Sequence, residues 1–267
     1  MHAPTWHSAL MTTMIAALFG LLIGSFLNVV VWRVPRGQSV VSPPSACPSC
    51  QTPIRPRDNV PVISWLLLRG RCRDCAGPIS PRYPLVELGT GVLFAIMALR
   101  FGLDPVLPAY LYLAAVGLAL ALIDLDCKRL PDALTLPSYP VAVVLLGLAA
   151  LAGSDSGDFL RALLGGAAMF AVYFALCFAY PAGMGFGDVK LAGVLGLYTA
   201  WLGWGAWAVG LFLGFFLGGL FGLALIAVKK GGRKTAVPFG PFMLAGVLIA
   251  VLVGQDLAKG YLDTTGV

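Results

Sequence analysis

Charge is scarce in this 267-residue chain: only 11% of its residues are Asp, Glu, Lys or Arg, and glutamate occurs once, at Glu87. With 59% apolar residues and a mean hydropathy of +0.88, the chain has more apolar surface than a water-soluble core can hide, which excludes an ordinary soluble globular fold. No basic stripe with interleaved aromatics lies on a soluble module, so nucleic acid has no docking surface. No glycine-rich loop ends in G-K-[ST] or opens a βαβ unit, so neither a P-loop nor a dinucleotide fold is expected. Neither an internal repeat nor a pair of broken helices is evident, which weighs against a transporter. No basic residue precedes the first apolar run and no small-residue cleavage site follows it, which argues against a removed secretory signal.

What remains is an all-α polytopic membrane protein. Apolar runs long enough to cross a bilayer core of roughly 30 Å lie near 9–32, 84–101, 106–124, 134–152, 160–181, 188–203, 205–228 and 238–255, about eight spans in all. The sixth and seventh are separated only by Gly203 and its neighbours. An outside amino terminus places the loops at 33–83, 125–133, 182–190 and 229–237 inside, with all of the 18 Lys and Arg except Arg100, Arg161 and Lys259. The positive-inside rule favours that orientation, and basic loops beside anionic lipid account for the net charge of +6. Three parts follow: 1–32 as the first span, 33–83 as a cytoplasmic loop domain, and 84–267 as a seven-helix membrane domain.

The loop domain holds two C-x-x-C knuckles, Cys47/Cys50 and Cys72/Cys75, with 21 residues between them. That spacing matches a tetrathiolate zinc ribbon, in which each knuckle gives two thiolates to one tetrahedral ion. A reducing cytoplasmic side disfavours disulfides, and four thiolates leave no open position for water, so such a zinc would be structural. Cys127 and Cys177 read as small apolar fillers at or inside helix ends.

Two carboxylates resist a solvent explanation. Asp124 closes the third run in LALALIDLDCKRLPD, and Asp188 opens the sixth in GMGFGDVKL, both at the inner ends of spans. Ionisable groups at membrane depth are functional candidates. Brought together, the pair would share one proton, one carboxylate acting as base on a water while the protonated partner polarises a scissile carbonyl. Gly183, Gly185 and Gly187 would let backbone approach an extended substrate beside Asp188. Pro238, Phe239, Gly240 and Pro241 interrupt the start of the last span, where a bend can shape a substrate groove or simply begin the helix. Asp126 and Asp132 compete with Asp124 but lie further into the loop, and Asp132 suits the start of the fourth span. Lys190 suits the cytoplasmic interface, with a role beside a nearby carboxylate as the alternative. A carboxylate-gated ion transporter remains the alternative from another class.

Taken in order, GSFLNVVVWRVP (24–35), the paired knuckles, RYPLVEL (82–88), IDLDCKRLPD (123–132), GMGFGDVKL (183–191) and VPFGPFMLAG (237–246) resemble the bacterial type IV prepilin peptidases, leader peptidases that are also N-methyltransferases. The resemblance implies eight membrane helices in the bacterial inner membrane, with the amino terminus periplasmic and the cysteine loop cytoplasmic. It implies catalysis by Asp124 (I-D-x-D) and Asp188 (G-x-G-D), the latter motif being shared with presenilin-type proteases. It further implies prepilins and pseudopilins of pilus or type II secretion systems as substrates, cut after a glycine on the cytoplasmic side. S-adenosylmethionine would then methylate the new terminal amine, an activity associated in the family with the loop of Cys47, Cys50, Cys72 and Cys75. Some relatives carry a longer insertion before the first knuckle. Nothing in the sequence places the methyl donor. Glu87, at the inner start of the second span, could face a donor amine or a substrate terminus, or could favour its helix through the N-terminal dipole. A peptidase without methylation is the nearer alternative.

Overall fold

A computed structural model of the chain describes residues 6–153, 155–181, 183–228 and 237–265. The basic loop expected at 229–237 lies outside them except for Val237. The described elements are helices in the order α1 (Trp6–Arg33), α2 (Ile63–Leu67), α3 (Arg82–Phe101), α4 (Leu107–Cys127), α5 (Asp132–Leu151), α6 (Ser156–Ala179), α7 (Phe186–Leu202), α8 (Trp204–Ala227) and α9 (Gly240–Thr265). All but α2 occupy the eight spans expected from hydropathy. Among the described residues, 7 helices are long and apolar enough to cross a membrane; the eighth long helix, α7, has 17 residues.

The helices form two compact units, Met1–Ala119 and Leu120–Val267, and the division falls inside α4. In the first unit α1 and α3 run antiparallel. A Cβ on Gly24 would lie 2.6 Å from the Cα of Glu87, so the two backbones meet at a distance that only a missing side chain permits. Away from that crossing, Ala16, Phe94 and Ala98 form a small core against Leu107, Leu111 and Ala115, and Phe101 stacks on Tyr110.

In the second unit α7 is the centre, packed against α5, α6, α8 and α9. Every residue from Leu191 to Trp201 is buried, so this short helix faces protein on all sides. A Cβ on Gly196 would come within 2.5 Å of the carbonyl of Gly165, which fixes how closely α6 and α7 approach. The carbonyls left open at the C-terminal end of α7 find donors on neighbouring helices. Arg161 of α6 donates to Ala200 O at 2.6 Å and Trp201 O at 2.5 Å while pairing with Asp158 at 2.7 Å, and Gln255 of α9 donates to Leu202 O. Arg161, which the charge count treats only as an outside residue, is therefore a cap. The narrow boundary between the sixth and seventh spans is Gly203 alone, at φ +133°, a backbone conformation that favours glycine.

Candidate active site and cysteine centre

Asp124 lies in the last turn of α4, the helix that LALALI makes apolar up to its end. It is 5% exposed, and its Oδ2 accepts the Gly240 N–H at 3.0 Å. That N–H opens α9, where the first amides of a helix have no partner within it. Pro238 stands outside the helix and Pro241 in its first turn, so the prolines set the point at which α9 starts and hence the position of the Gly240 donor. A Cβ on Gly240 would sit 2.9 Å from Asp124 Oδ2 and 3.2 Å from Leu130 Cδ2.

Asp188 occupies the first turn of α7. Its N–H donates to Gly185 O at 3.0 Å, and its Oδ2 accepts the Gly185 N–H at 3.2 Å, which closes the helix start on itself. Gly185 is extended, at φ −77°. Gly187 packs on the other side of Leu130, where a Cβ would lie 3.2 Å from Leu130 Cβ. Leu130 thus sits between the backbone beside Asp188 and the backbone that binds Asp124. The two carboxylates act on one another electrostatically, as side chains of one site do.

Of the residues singled out from sequence, Asp124, Asp188, Gly185, Gly187 and Gly240 meet here, with Pro238 at the start of the α9 segment. Gly183 lies in the turn before them. Asp126 is exposed, and Asp132 pairs with Lys190 at 2.6 Å. Lys190 is held further by the Tyr139 hydroxyl, which donates to its carbonyl at 2.7 Å, so it ties α7 to α5 in addition to facing the interface. Sequence reasoning missed Tyr173. This buried residue of α6 stacks on Phe215 at 5.0 Å, stands 6.3 Å from Phe239, and feels the charge of Asp188. Within an apolar run a tyrosine carries no signal that separates it from core.

The cysteine centre belongs to the other unit. The Sγ atoms of Cys47, Cys50, Cys72 and Cys75 all lie within 4.8 Å of one another, with Cys47 to Cys75 at 3.8 Å and Cys50 to Cys72 at 4.0 Å. A tetrahedral ion with metal–sulfur bonds of about 2.3 Å separates its sulfurs by roughly 3.8 Å, so the four can hold one metal ion. The two knuckles are built alike. Ala46 bridges to Pro53 and Arg71 to Pro78, the N–H groups of Gln51 and Ala76 return to the carbonyls of Cys47 and Cys72, and Gln51 and Ala76 take positive φ of 59° and 54°. Backbone N–H groups of Cys50 and Ser49 pull the Cys47 thiol down to about 6, and hydrogen bonds with Thr52 lower that of Cys50, while, against the Gly77 N–H, the neighbouring sulfurs push that of Cys75 up to about 12. The first two favour the thiolate, and a bound cation would remove the repulsion that keeps the Cys75 proton in place.

Two ion pairs hold the second knuckle to the intervening segment: Arg55 with Asp74 at 2.8 Å, and Arg73 with Asp58 through Nε and a terminal nitrogen. The Arg73 guanidinium holds the Asp58 carboxyl below its usual range. Cys127 is exposed at the end of α4, so it fills no gap, contrary to the expectation. Cys177 is half-buried, and its thiol approaches Met184 O at 3.5 Å. Glu87 is not part of the aspartate site. It lies on the second turn of α3, 8% exposed, and accepts the Val62 N–H at 2.7 Å.

Residues 18–101 match the model of the bacterial peptidase A24 N-terminal domain, and residues 111–223 match that of the type IV leader peptidase family. The chain is 39% identical over 275 residues to the prepilin leader peptidase/N-methyltransferase of Aeromonas hydrophila, covering 92% of each. It is 34% identical over 273 residues to that of Pseudomonas aeruginosa, covering 93% of each. The chain belongs to the type IV leader peptidase family. A third leader peptidase, from Neisseria gonorrhoeae, is 38% identical over 258 residues and 85% of each chain. No solved structure matches this leader peptidase chain. The boundary between its two family-model matches, between residues 101 and 111, sets α3 apart from the helix that carries Asp124.

Proposed function

We propose that this protein is an aspartic endopeptidase of the bacterial inner membrane that removes the basic leader from prepilins or pseudopilins and methylates the new terminal amine. The observation that carries the first activity is the meeting of Asp124 and Asp188, from α4 and α7, in one electrostatically coupled site held by two backbone N–H donors. In such a pair one proton is shared. The ionised carboxylate takes a proton from water as its oxygen attacks the scissile carbonyl, and the protonated partner donates to the carbonyl oxygen. Collapse breaks the C–N bond, and the nitrogen leaves with a proton returned by the pair. Glycines at 185, 187 and 240 keep this space clear of side chains, and an extended segment ending in glycine suits such an entry. The basic loops support a periplasmic amino terminus and a cytoplasmic cysteine loop. Membership in a family whose named relatives are peptidases favours hydrolysis over ion transport.

The second activity takes its support from the relatives' names. S-adenosylmethionine would supply an electrophilic methyl group: the amine lone pair forms the N–C bond, the S–C bond breaks with its electrons to sulfur, and the amine gives up a proton. For the four cysteines we propose a structural zinc ion, because the sulfur spacing suits its tetrahedral geometry.

The deciding experiment incubates purified enzyme, its Asp124→Asn and Asp188→Asn variants, and a prepilin with S-adenosylmethionine, and weighs the products. Wild-type protein should release the leader and add a methyl group, while each variant leaves the prepilin intact. Cleavage by both variants at the normal rate would refute the aspartic assignment. An unmethylated mature terminus would leave a peptidase alone.

A further inference from the structure

Between the two cysteine knuckles the chain sets out aliphatic side chains that the loop does not cover. Val60, Ile63, Leu66 and Leu67 are all exposed, the last three at 56%, 60% and 77%. Ile63, Leu66 and Leu67 recur at helical spacing, so they share the outer face of α2. The neighbouring side chains turn inward: Ser64 is buried, and the Trp65 indole N–H donates to Ile79 O at 3.0 Å. An apolar cluster of this kind on a charged loop marks a contact surface.

Several bonds hold that face in place. The Ser64 hydroxyl donates to Arg57 O and accepts the Val60 N–H, both at 3.1 Å. Gly70 closes on the Trp65 ring, where a Cβ would lie 2.8 Å from Cζ2. Val62 takes a φ of 61°, a conformation that a β-branched residue adopts only where its surroundings impose it. Glu87 imposes it, because its carboxylate accepts the Val62 N–H at 2.7 Å.

That bond also sets the depth of α2. Glu87 lies five residues beyond Arg82, the first residue of α3, or roughly 7.5 Å along the axis at the helical rise of 1.5 Å per residue. On the facing helix it meets Gly24, nine residues short of Arg33 at the end of α1, or roughly 13.5 Å on the same rise. Trp32 and Tyr83 are both exposed and mark the water–lipid boundary as interfacial aromatics do. Glu87 lies one turn deeper than Tyr83. The start of α2 is thus tied below the boundary, at the level where Leu85 and Leu88 of α3 are themselves exposed. Exposed arginines flank the apolar run, Arg57 before it and Arg69 after it. The nearby acids Asp58 and Asp74 are taken by Arg73 and Arg55.

We propose that residues 60–67 return the cysteine loop to the bilayer and bury their aliphatic face among the acyl chains, with Arg57 and Arg69 on anionic headgroups. The lipid-facing surface of α3 at Leu85 and Leu88 continues onto α2. Interfacial segments sink about 5–10 Å into the headgroup and acyl boundary, which agrees with the depth of Glu87. The loop is then held against the membrane at a third place besides its two attachments to α1 and α3.

The test places the photoreactive residue p-benzoylphenylalanine at position 63, 67 or 85, one per full-length protein, in vesicles of phosphatidylcholine with about a quarter phosphatidylglycerol. Position 85 lies within a span and reports lipid directly. Metal content and prepilin cleavage, which none of the three positions serves, check the fold. Illumination should give phospholipid adducts at positions 63 and 67 at a yield comparable to that at position 85. Phosphatidylglycerol should make up at least about twice its share of the mixture in those adducts, and Arg57→Gln with Arg69→Gln should return it to that share. Adducts at position 85 and none at 63 and 67 overturn the proposal. A protein–protein adduct at 63 or 67 overturns it as well, by showing that a second copy or another segment covers the face. Unenriched adducts with both arginines present overturn the headgroup contact.

Discussion

Gly240 stands where a side chain would collide with a carboxylate. A methyl group there would come within 2.9 Å of Asp124 Oδ2, and because the obstructing atom is the free end of a side chain, the carboxylate would turn aside before the helices parted. Gly240→Ala is therefore expected to reduce the turnover rate at least tenfold while thermal stability changes by less than about 1 kcal/mol. Prepilin cleavage and a melting curve on the same preparation check both halves. Gly187→Ala meets the Cβ of Leu130 at the milder distance of 3.2 Å, so its effect should be smaller. Replacing Asp124 or Asp188 by asparagine removes a proton-transfer group altogether, and a loss on the order of 10²–10⁴-fold in cleavage rate follows. Asp58 gives a pH-dependent case outside the membrane. Arg73 lowers its folded pKa, so the pair contributes fully above the unfolded value of about 3.9 and its contribution fades as pH falls through the lower folded value. Arg73→Gln should make the cysteine loop more protease-sensitive by a constant factor from pH 8 to pH 5, and the difference from wild type should shrink as the pH falls below the unfolded value through the lower folded one.

At the scale of elements, α7 shows what a sequence can and cannot reveal. Its apolar run marked it as a span and its first-turn aspartate as a candidate, because composition and position are local properties. Its encirclement was not legible, since a helix buried on all sides and one facing lipid have the same composition when both solvents are apolar. Arg161 shows the same limit: nothing nearby in sequence indicates that it reaches the carbonyls of Ala200 and Trp201. Leu130, Tyr173 and the Val62 donor to Glu87 were likewise hidden, because each acquires its role through a partner distant in the chain. By contrast the four cysteines were readable, because knuckle geometry is encoded within a few residues. The close α6–α7 contact yields a prediction of its own. Gly196→Ala would press a methyl group to within 2.5 Å of the Gly165 carbonyl, a backbone atom that cannot swing away. Separation of the helices should cost about 1–3 kcal/mol, seen as a drop of several degrees in melting temperature, without the selective loss of activity expected for Gly240→Ala.

At the scale of the whole molecule the two proposed chemistries rest on different parts of the chain, and metal removal can separate them. The cysteine loop around Cys47, Cys50, Cys72 and Cys75 contains only short helical pieces and two isolated bridges, so its order depends heavily on whatever joins the knuckles. Asp124, Asp188, Leu130 and Gly240 belong to Leu120–Val267, where helix packing supplies the order. A thiol-compatible chelator should therefore expose residues 38–80 to protease while the described helices beyond residue 120 stay protected. Cleavage of a prepilin should persist within about threefold. Methylation of the cleaved terminus should fall by more than tenfold, because the loop loses its order when the knuckles part. Restoring zinc should restore methylation. Equal loss of both activities on chelation, with the helices still protected, would mean that the metal centre serves hydrolysis directly, and the division of labour between the cysteine loop and the aspartate site would have to be abandoned.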